Sequence, residues 1–309
     1  MVYFAIGLGA VLLLCLGICF VCYRMAFYSA PRKGERSIDE ILPVGKIYEP
    51  FHEQMRTWAE QTRSAPSQEY TIRSFDGLQL YGKYYEYAPG AIVELMMPGY
   101  RGLAERDLCG GVQRAFQLGH SVLLVEQRAC GKSEGCTISF GVNERKDCLA
   151  WTKFLIETFG PDVRIILTGI SMGAATVMMS CALGLPENVV GMIADCGYSS
   201  AKDIIQKVIA DMKLPPKLAY PFVRLGARIF GGFDLEETPP IAAIRHCTVP
   251  VFFIHGEDDD FVPCDMTRQI YAACPSKKTL FTVPNADHGL GYVVDPEGYL
   301  TAARQALPE

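Results

Sequence analysis

Six short, strongly apolar runs recur along this chain, and their spacing limits its fold more than any other feature: Ile92 to Met97, Ser121 to Val125, Val163 to Thr168, Val189 to Ala194, Val251 to His255 and Leu280 to Val283. Helical patterns lie between them. Such alternation implies a mostly parallel sheet with helices on both faces, because strands buried on both sides must be apolar throughout. Upstream, Tyr70 to Phe75 and Leu78 to Tyr87 flank the turn pair Asp76-Gly77 and read as an antiparallel hairpin, which brings the expected sheet to eight strands. Ligands of such α/β sheets bind at the carboxyl ends of the strands, so residues that immediately follow a strand carry the functional question. One connection is much longer than the rest: residues 197–246 hold two helical patterns divided by Pro215 and Pro216, and predict a small helical cap over the strand ends.

Tyr3 to Tyr23 carries no charge and is long enough to cross a bilayer core as a helix. A cleaved signal peptide is the rival reading. Against it stand the missing basic n-region and Pro31 directly after Ser29-Ala30. The expected division is therefore a single-pass transmembrane anchor at 1–28, a linker and helix at 29–68, and a catalytic domain at 69–309. The helix in the linker is suggested by Ile38, Ile41, Leu42, Phe51, Met55 and Trp58, and no chemistry is expected there. Positive charge follows the span at Arg24, Arg32, Lys33 and Arg36, which predicts a cytoplasmic catalytic domain. Of twelve cysteines, Cys15, Cys19 and Cys22 lie in the apolar segment and the others are irregularly spaced, a pattern that suits reduced thiols. A net charge of -5 argues against a nucleic-acid partner, which needs a concentrated basic surface.

Gly169-Ile170-Ser171-Met172-Gly173 follows one of the apolar runs and opens a helical pattern, the strand-turn-helix setting of a nucleophile elbow. So sharp a turn crowds the positions two residues on either side of the serine, which only very small residues fit. With 29 glycines in the chain the pentapeptide alone is weak. What strengthens it is the order of later strand ends: His255-Gly256-Glu257-Asp258-Asp259-Asp260, then Asn285-Ala286-Asp287-His288-Gly289, a Ser, Asp, His sequence. Of the five histidines, His52, His120 and His246 fall at the wrong end of the sheet, and His255 ends a buried strand and reads as a packed or hydrogen-bonded core residue. His288 is left to reach Ser171. Chemistry alone does not separate Asp259 from Asp258 or Asp260, and Asp195, at the preceding strand end, is a further candidate acid.

These stretches resemble the α/β-hydrolase superfamily over residues 68–306. Within it the chain is similar to the serine-aminopeptidase and monoacylglycerol-lipase-like proteins, and to membrane-anchored bacterial hydrolases. The resemblance makes Asp259 the acid, four residues after the His of the His-Gly pair and three before Val262-Pro263. It implies oxyanion donors at the N–H of Met172 and of Tyr100, the latter in Pro98-Gly99-Tyr100-Arg101-Gly102. Relatives show His-Gly where this chain has Pro98-Gly99, which removes a side chain that supports the loop but not the donor.

Glu126 to Ser133 resembles the family's Asp-x-Arg-Gly-x-Gly-x-Ser stretch and reads as structural. It is not a phosphate loop, since Glu occupies the first glycine position of that motif. No metal-ligand spacing occurs and no cofactor is implied. The expected activity is a serine hydrolase acting through an acyl-enzyme on small or acyl carboxylic esters. Ile204, Ile205, Val208, Phe222, Val223 and Phe230 of the cap are candidates to line a pocket, or simply to pack the cap down. Arg224 and Arg228 are candidates for an anionic group, or a solvated face. An aminopeptidase or amidase acting on a peptide-like substrate is the alternative and needs acids such as Glu134, Glu236 or Glu237 for the ammonium. A non-catalytic membrane-anchored scaffold is the other.

Overall fold

The computed structural model describes residues 2–30 and 37–308. Eight strands, β1 (Gln68–Arg73), β2 (Gln79–Tyr85), β3 (Val93–Met97), β4 (Ser121–Glu126), β5 (Ile165–Ile170), β6 (Val189–Asp195), β7 (Val251–Gly256) and β8 (Lys278–Val283), form one sheet in the order β1-β2-β4-β3-β5-β6-β7-β8. β2 runs antiparallel to both β1 and β4, and all other neighbours are parallel. Gly77, in the hairpin turn, takes φ 89°, a value that disfavours a side chain. The longer helices are α1 (Val2–Ala26), α2 (His52–Ser64), α3 (Gly111–Gln117), α4 (Glu144–Phe159), α5 (Met172–Ser180), α6 (Ala201–Asp211), α7 (Pro216–Gly226), α8 (Cys264–Ala273) and α9 (Pro296–Ala306).

The two-sided burial inferred from the apolar runs is visible residue by residue. On β5, Ile165 and Leu167 join Trp151 and Leu155 of α4 and Val177 of α5 in one core, whereas Ile166 joins Tyr299 and Leu300 of α9 in another. Phe253 on β7 faces the first core, and Phe252 and Ile254 face the second. One residue breaks the apolar pattern: Glu94, fully buried on β3, meets Arg114 at 2.5 Å, His120 Nδ1 at 2.8 Å and the Thr168 hydroxyl at 2.8 Å. Burial alone would raise this carboxyl, but Arg114 and His120 outweigh it and hold it at about 2.

Between β6 and β7 the chain forms α6 and α7, the latter entered through Pro215 and Pro216, where a missing N–H costs nothing. Ile204, Ile205 and Val223 are buried in a third core that also contains Met172 and Ala175 of α5. This favours the packing role for those three over a pocket lining. Phe230 meets the rings of Phe20 and Tyr23 at 5.2 and 5.9 Å.

Those partners belong to α1, whose two ends differ. Its first turns present apolar side chains to the surroundings, with Tyr3 91% and Leu13 71% exposed, and it is long and apolar enough to cross a membrane. Its last turns dock. Cys19 and, just beyond the helix, Phe27 are fully buried, and a Cβ added to Gly226 of α7 would lie 2.4 Å from the Cys19 carbonyl oxygen. The Tyr23 and Thr137 hydroxyls lie 2.7 Å apart, Ser29 N–H donates to Cys136 O at 2.9 Å, and Ile138 N–H donates to Phe27 O at 2.8 Å. Arg24 lies over the Tyr28 ring. Pro31, Arg32, Lys33 and Arg36 lie outside the described residues.

Candidate active site

Ser171 stands between the last residue of β5 and the first of α5 with φ 55° and ψ -117°, a conformation that costs an L-residue on the order of 1–3 kcal/mol. Its N–H donates to the carbonyl of Asp195 at the end of β6, at 2.8 Å, which pins the turn. The flanking glycines are forced by contact: a Cβ on Gly169 would lie 2.3 Å from the Gly173 carbonyl carbon, and one on Gly173 would lie 1.9 Å from Met97 O. The serine therefore sits at the amino end of α5, where the helix dipole favours negative charge.

His288, in the loop after β8, reaches Ser171 from one side. Its Nε2 lies 3.0 Å from Ser171 Oγ and its Nδ1 lies 2.7 Å from Asp259 Oδ2. Asp259 is buried, while Asp258 and Asp260 are exposed, as suits a solvated turn. The other oxygen of Asp259 accepts from Phe261 N–H and Val262 N–H at 3.0 and 2.8 Å. Burial works to raise the Asp259 carboxyl, but hydrogen bonds from His255 and His288 overcome it and hold the group at about 2. Asp195, the other candidate acid, is not hydrogen-bonded to His288, and its Oδ1 is buried with no partner among the described residues. Burial pushes its carboxyl up to about 6, against the pull of His255 and His288.

His255 is buried, with Nδ1 2.7 Å from the Thr267 hydroxyl and Nε2 2.7 Å from Val262 O and 3.1 Å from Asp259 Oδ2. It steadies the turn that carries Asp259. Three further neighbours carried no signal in the sequence. Phe261 packs edge-on against the His288 ring at 5.1 Å, Cys196 Sγ lies 4.0 Å from His288 Nε2, and the Tyr48 hydroxyl donates to His288 O at 3.2 Å from within the stretch taken as a linker without chemistry. Donor atoms of Cys196, Asp259 and His288 lie within 4.8 Å of one another, a separation a metal ion would tolerate. Both ring nitrogens of His288 already face Asp259 and Ser171, however, and burial, then Asp195 and Asp259, push the Cys196 thiol well up, away from the thiolate a metal requires.

On the other side of Ser171 lies the loop after β3. A Cβ on Gly99 would lie 3.6 Å from Ser171 Cβ, so this loop faces Ser171 closely. Among the described residues no acceptor is bonded to the N–H of Tyr100 or of Met172. The loop is held from three directions: Gln127 Nε2 donates to Pro98 O at 2.5 Å, Gly99 N–H donates to Asp107 Oδ2 at 2.9 Å, and Tyr100 and Arg101 reach the end of α1. Gln127 thus braces the loop at Pro98. The rest of its motif is structural as well, with Arg128 paired to Asp147 and Asp76 and the Ser133 hydroxyl donating to Glu126 O.

The charged residues nominated for substrate binding are already paired. Arg224 and Arg228 both pair with Asp234. Glu236 is held by Tyr220 and Arg224, Glu237 by Arg145, and Glu134 accepts from Gln79 N–H.

A family model described as PhoPQ-activated pathogenicity-related protein matches residues 235–298, the stretch that carries Asp259 and His288. The chain is 28% identical over 193 residues to the uncharacterized protein YqkD of Bacillus subtilis, covering 62% of this chain and 63% of that one. It is 25% identical over 173 residues to the lysophosphatidylserine lipase ABHD12 of Danio rerio, covering 53% and 42%. The match therefore spans less than two thirds of either relative. Among solved structures, the esterase Pf2001 of Pyrococcus furiosus superposes with a TM-score of 0.67 at 20% identity, over 91% of this chain and 99% of that one. This chain has the α/β-hydrolase fold. In that fold Ser171, Asp259 and His288 each follow a strand at its carboxyl end, after β5, β7 and β8.

Proposed function

We propose that this protein is a membrane-bound serine hydrolase that cleaves carboxylic esters through an acyl-enzyme. The observation that carries the proposal is the line from Ser171 Oγ to His288 Nε2, 3.0 Å, and from His288 Nδ1 to Asp259 Oδ2, 2.7 Å. In this reading His288 takes the Ser171 proton as the oxygen attacks the ester carbonyl. Asp259, ionised down to about pH 2, holds the ring and stabilises the imidazolium. The Met172 and Tyr100 N–H groups receive the oxyanion. His288 then protonates the departing alcohol and afterwards activates the water that frees the acyl group.

Esters are favoured over aminoacyl amides because Glu134, Glu236 and Glu237, the groups nominated for a substrate ammonium, are all occupied elsewhere. A lipase among the curated relatives points the same way. Retention of α1 as an anchor is supported by Cys19 and Phe27, whose removal with a signal peptide would open the core they fill. Arg24, Arg32, Lys33 and Arg36 favour a cytoplasmic domain, which protease protection in intact cells tests.

Labelling by a fluorophosphonate probe tests the chemistry. The full-length protein should label and hydrolyse nitrophenyl esters, and Ser171→Ala should do neither. Equal labelling of Ser171→Ala would overturn the proposal.

A further inference from the structure

The end of α1 and the loop after β3 share more than a surface. An isolated helix leaves its last carbonyls without partners. Here the Tyr100 hydroxyl donates to Ala26 O at 2.8 Å, and Arg101 Nη2 donates to Met25 O and to Tyr28 O, each at 2.8 Å. Arg101 holds φ 51°, a strained value for a side-chain-bearing residue, and it directly follows the amide assigned to the oxyanion. The ring of Tyr100 packs on Phe140 at 5.2 Å, and Phe140 packs on Phe27 at 5.7 Å. Phe27 and Tyr23 lie in the same core as Met172, which bears the other amide.

We infer that the last turns of α1 are a working part of the active site: their carbonyls hold Tyr100 and Arg101 so that the Tyr100 N–H faces the oxyanion. This inference rests on the hydrolase reading above. Arg101 is a positioning residue, as is the side chain of Tyr100. Both act on the amide without touching substrate. A donor of this kind contributes only when it is fixed before charge develops, because reorientation during the reaction forfeits the gain. The apolar segment would then serve catalysis as well as attachment, and the two services lie in different turns of one helix.

The test uses the full-length protein in detergent micelles with a nitrophenyl ester. Tyr100→Phe combined with Arg101→Ala removes both bonds to the end of α1 and the one to Tyr28 just beyond it, and leaves every backbone amide in place. We expect kcat to fall on the order of 10- to 100-fold, short of the roughly 10²–10³ of losing an oxyanion donor outright, with KM within about twofold. The melting temperature should be little changed, which separates positioning from loss of fold. Arg101→Lys, which keeps a donor of the same charge, should recover part of the loss. Exchange of residues 2–14 for an unrelated apolar helix should leave kcat unchanged. The inference is overturned if the double variant turns over like the wild type, or if the exchange of residues 2–14 loses as much as the double variant. A wild-type protein that neither labels nor hydrolyses would overturn the hydrolase reading and this inference with it, whereas an active wild type beside an unimpaired double variant overturns this inference alone.

Discussion

The two sides of Ser171 are built by different means. On the side proposed for acid-base chemistry, His288 and Asp259 come from loops that leave β8 and β7, and the hydrogen bonds from Phe261, Val262 and His255 that orient Asp259 arise within the strand-end architecture, with Tyr48 adding one bond to the backbone of His288. On the side proposed for the oxyanion, the loop after β3 is braced by Gln127, by Asp107 and by the carbonyls of α1. The first side is a property of the fold. The second depends on a segment that lies outside the sheet, and damage to it should scale down catalysis without abolishing it.

The comparison breaks most plainly at the base. His288→Ala should lower kcat on the order of 10⁶-fold in ester hydrolysis with a folded protein, since members of such a unit fail together. A loss under about 10³-fold would remove the acid-base side from the mechanism. Asp259→Asn should cost roughly 10⁴-fold, the value for a ring left in the wrong tautomer, and Asp195→Asn in the same assay should cost far less. A reversed order would transfer the acid's role to Asp195.

On the opposite side, Phe27→Ala should destabilise the protein by about 3–5 kcal/mol in chemical denaturation, the cost of emptying a fully buried aromatic site. A small effect would mean that α1 leans on the domain without contributing to its core. The smallest expected change is a gain. The Asp195 carboxyl is raised to about 6, above its unfolded value of about 3.9, so the folded state binds more protons between those values. The contribution of this group to stability therefore falls as pH rises from about 4 to 6, and the loss is complete above that window. Asp195→Asn should recover about 1–3 kcal/mol at pH 7 and nothing at pH 4. Asp147, also raised to about 6 by burial, titrates in the same window, so the measurement is the difference between variant and wild type.

Most of the sheet and one half of the site could be read from the chain. The apolar runs lie within two residues of the observed strands at most ends, because burial on two faces leaves a continuous apolar stretch. Gly169 and Gly173 announced the elbow because backbone contact excludes any side chain there. On the other side the donors Tyr100 and Met172 were nominated, but what braces them was hidden for a physical reason. A hydrogen bond from Arg101 to Met25 O joins a side chain to a carbonyl 76 residues away, and carbonyls have no residue identity for a pattern to report. Tyr48 was equally silent, since its contact is to the backbone of His288. The Glu94 cluster, too, interrupts an apolar run with a charge whose partners, Arg114, His120 and Thr168, declare themselves only once the strands are laid side by side.

The contact of Gly226 with Cys19 has a mechanical consequence. A domain on a slack tether would tumble over the lipid, presenting its mouth in every direction. Here the helix is bolted to the cap two turns before it ends, so if its first turns lie in lipid as proposed, no slack remains between lipid and protein, and Ser171 would keep one height and one heading above the bilayer. A bulky residue at position 226 would unfasten that joint while leaving the anchor in place.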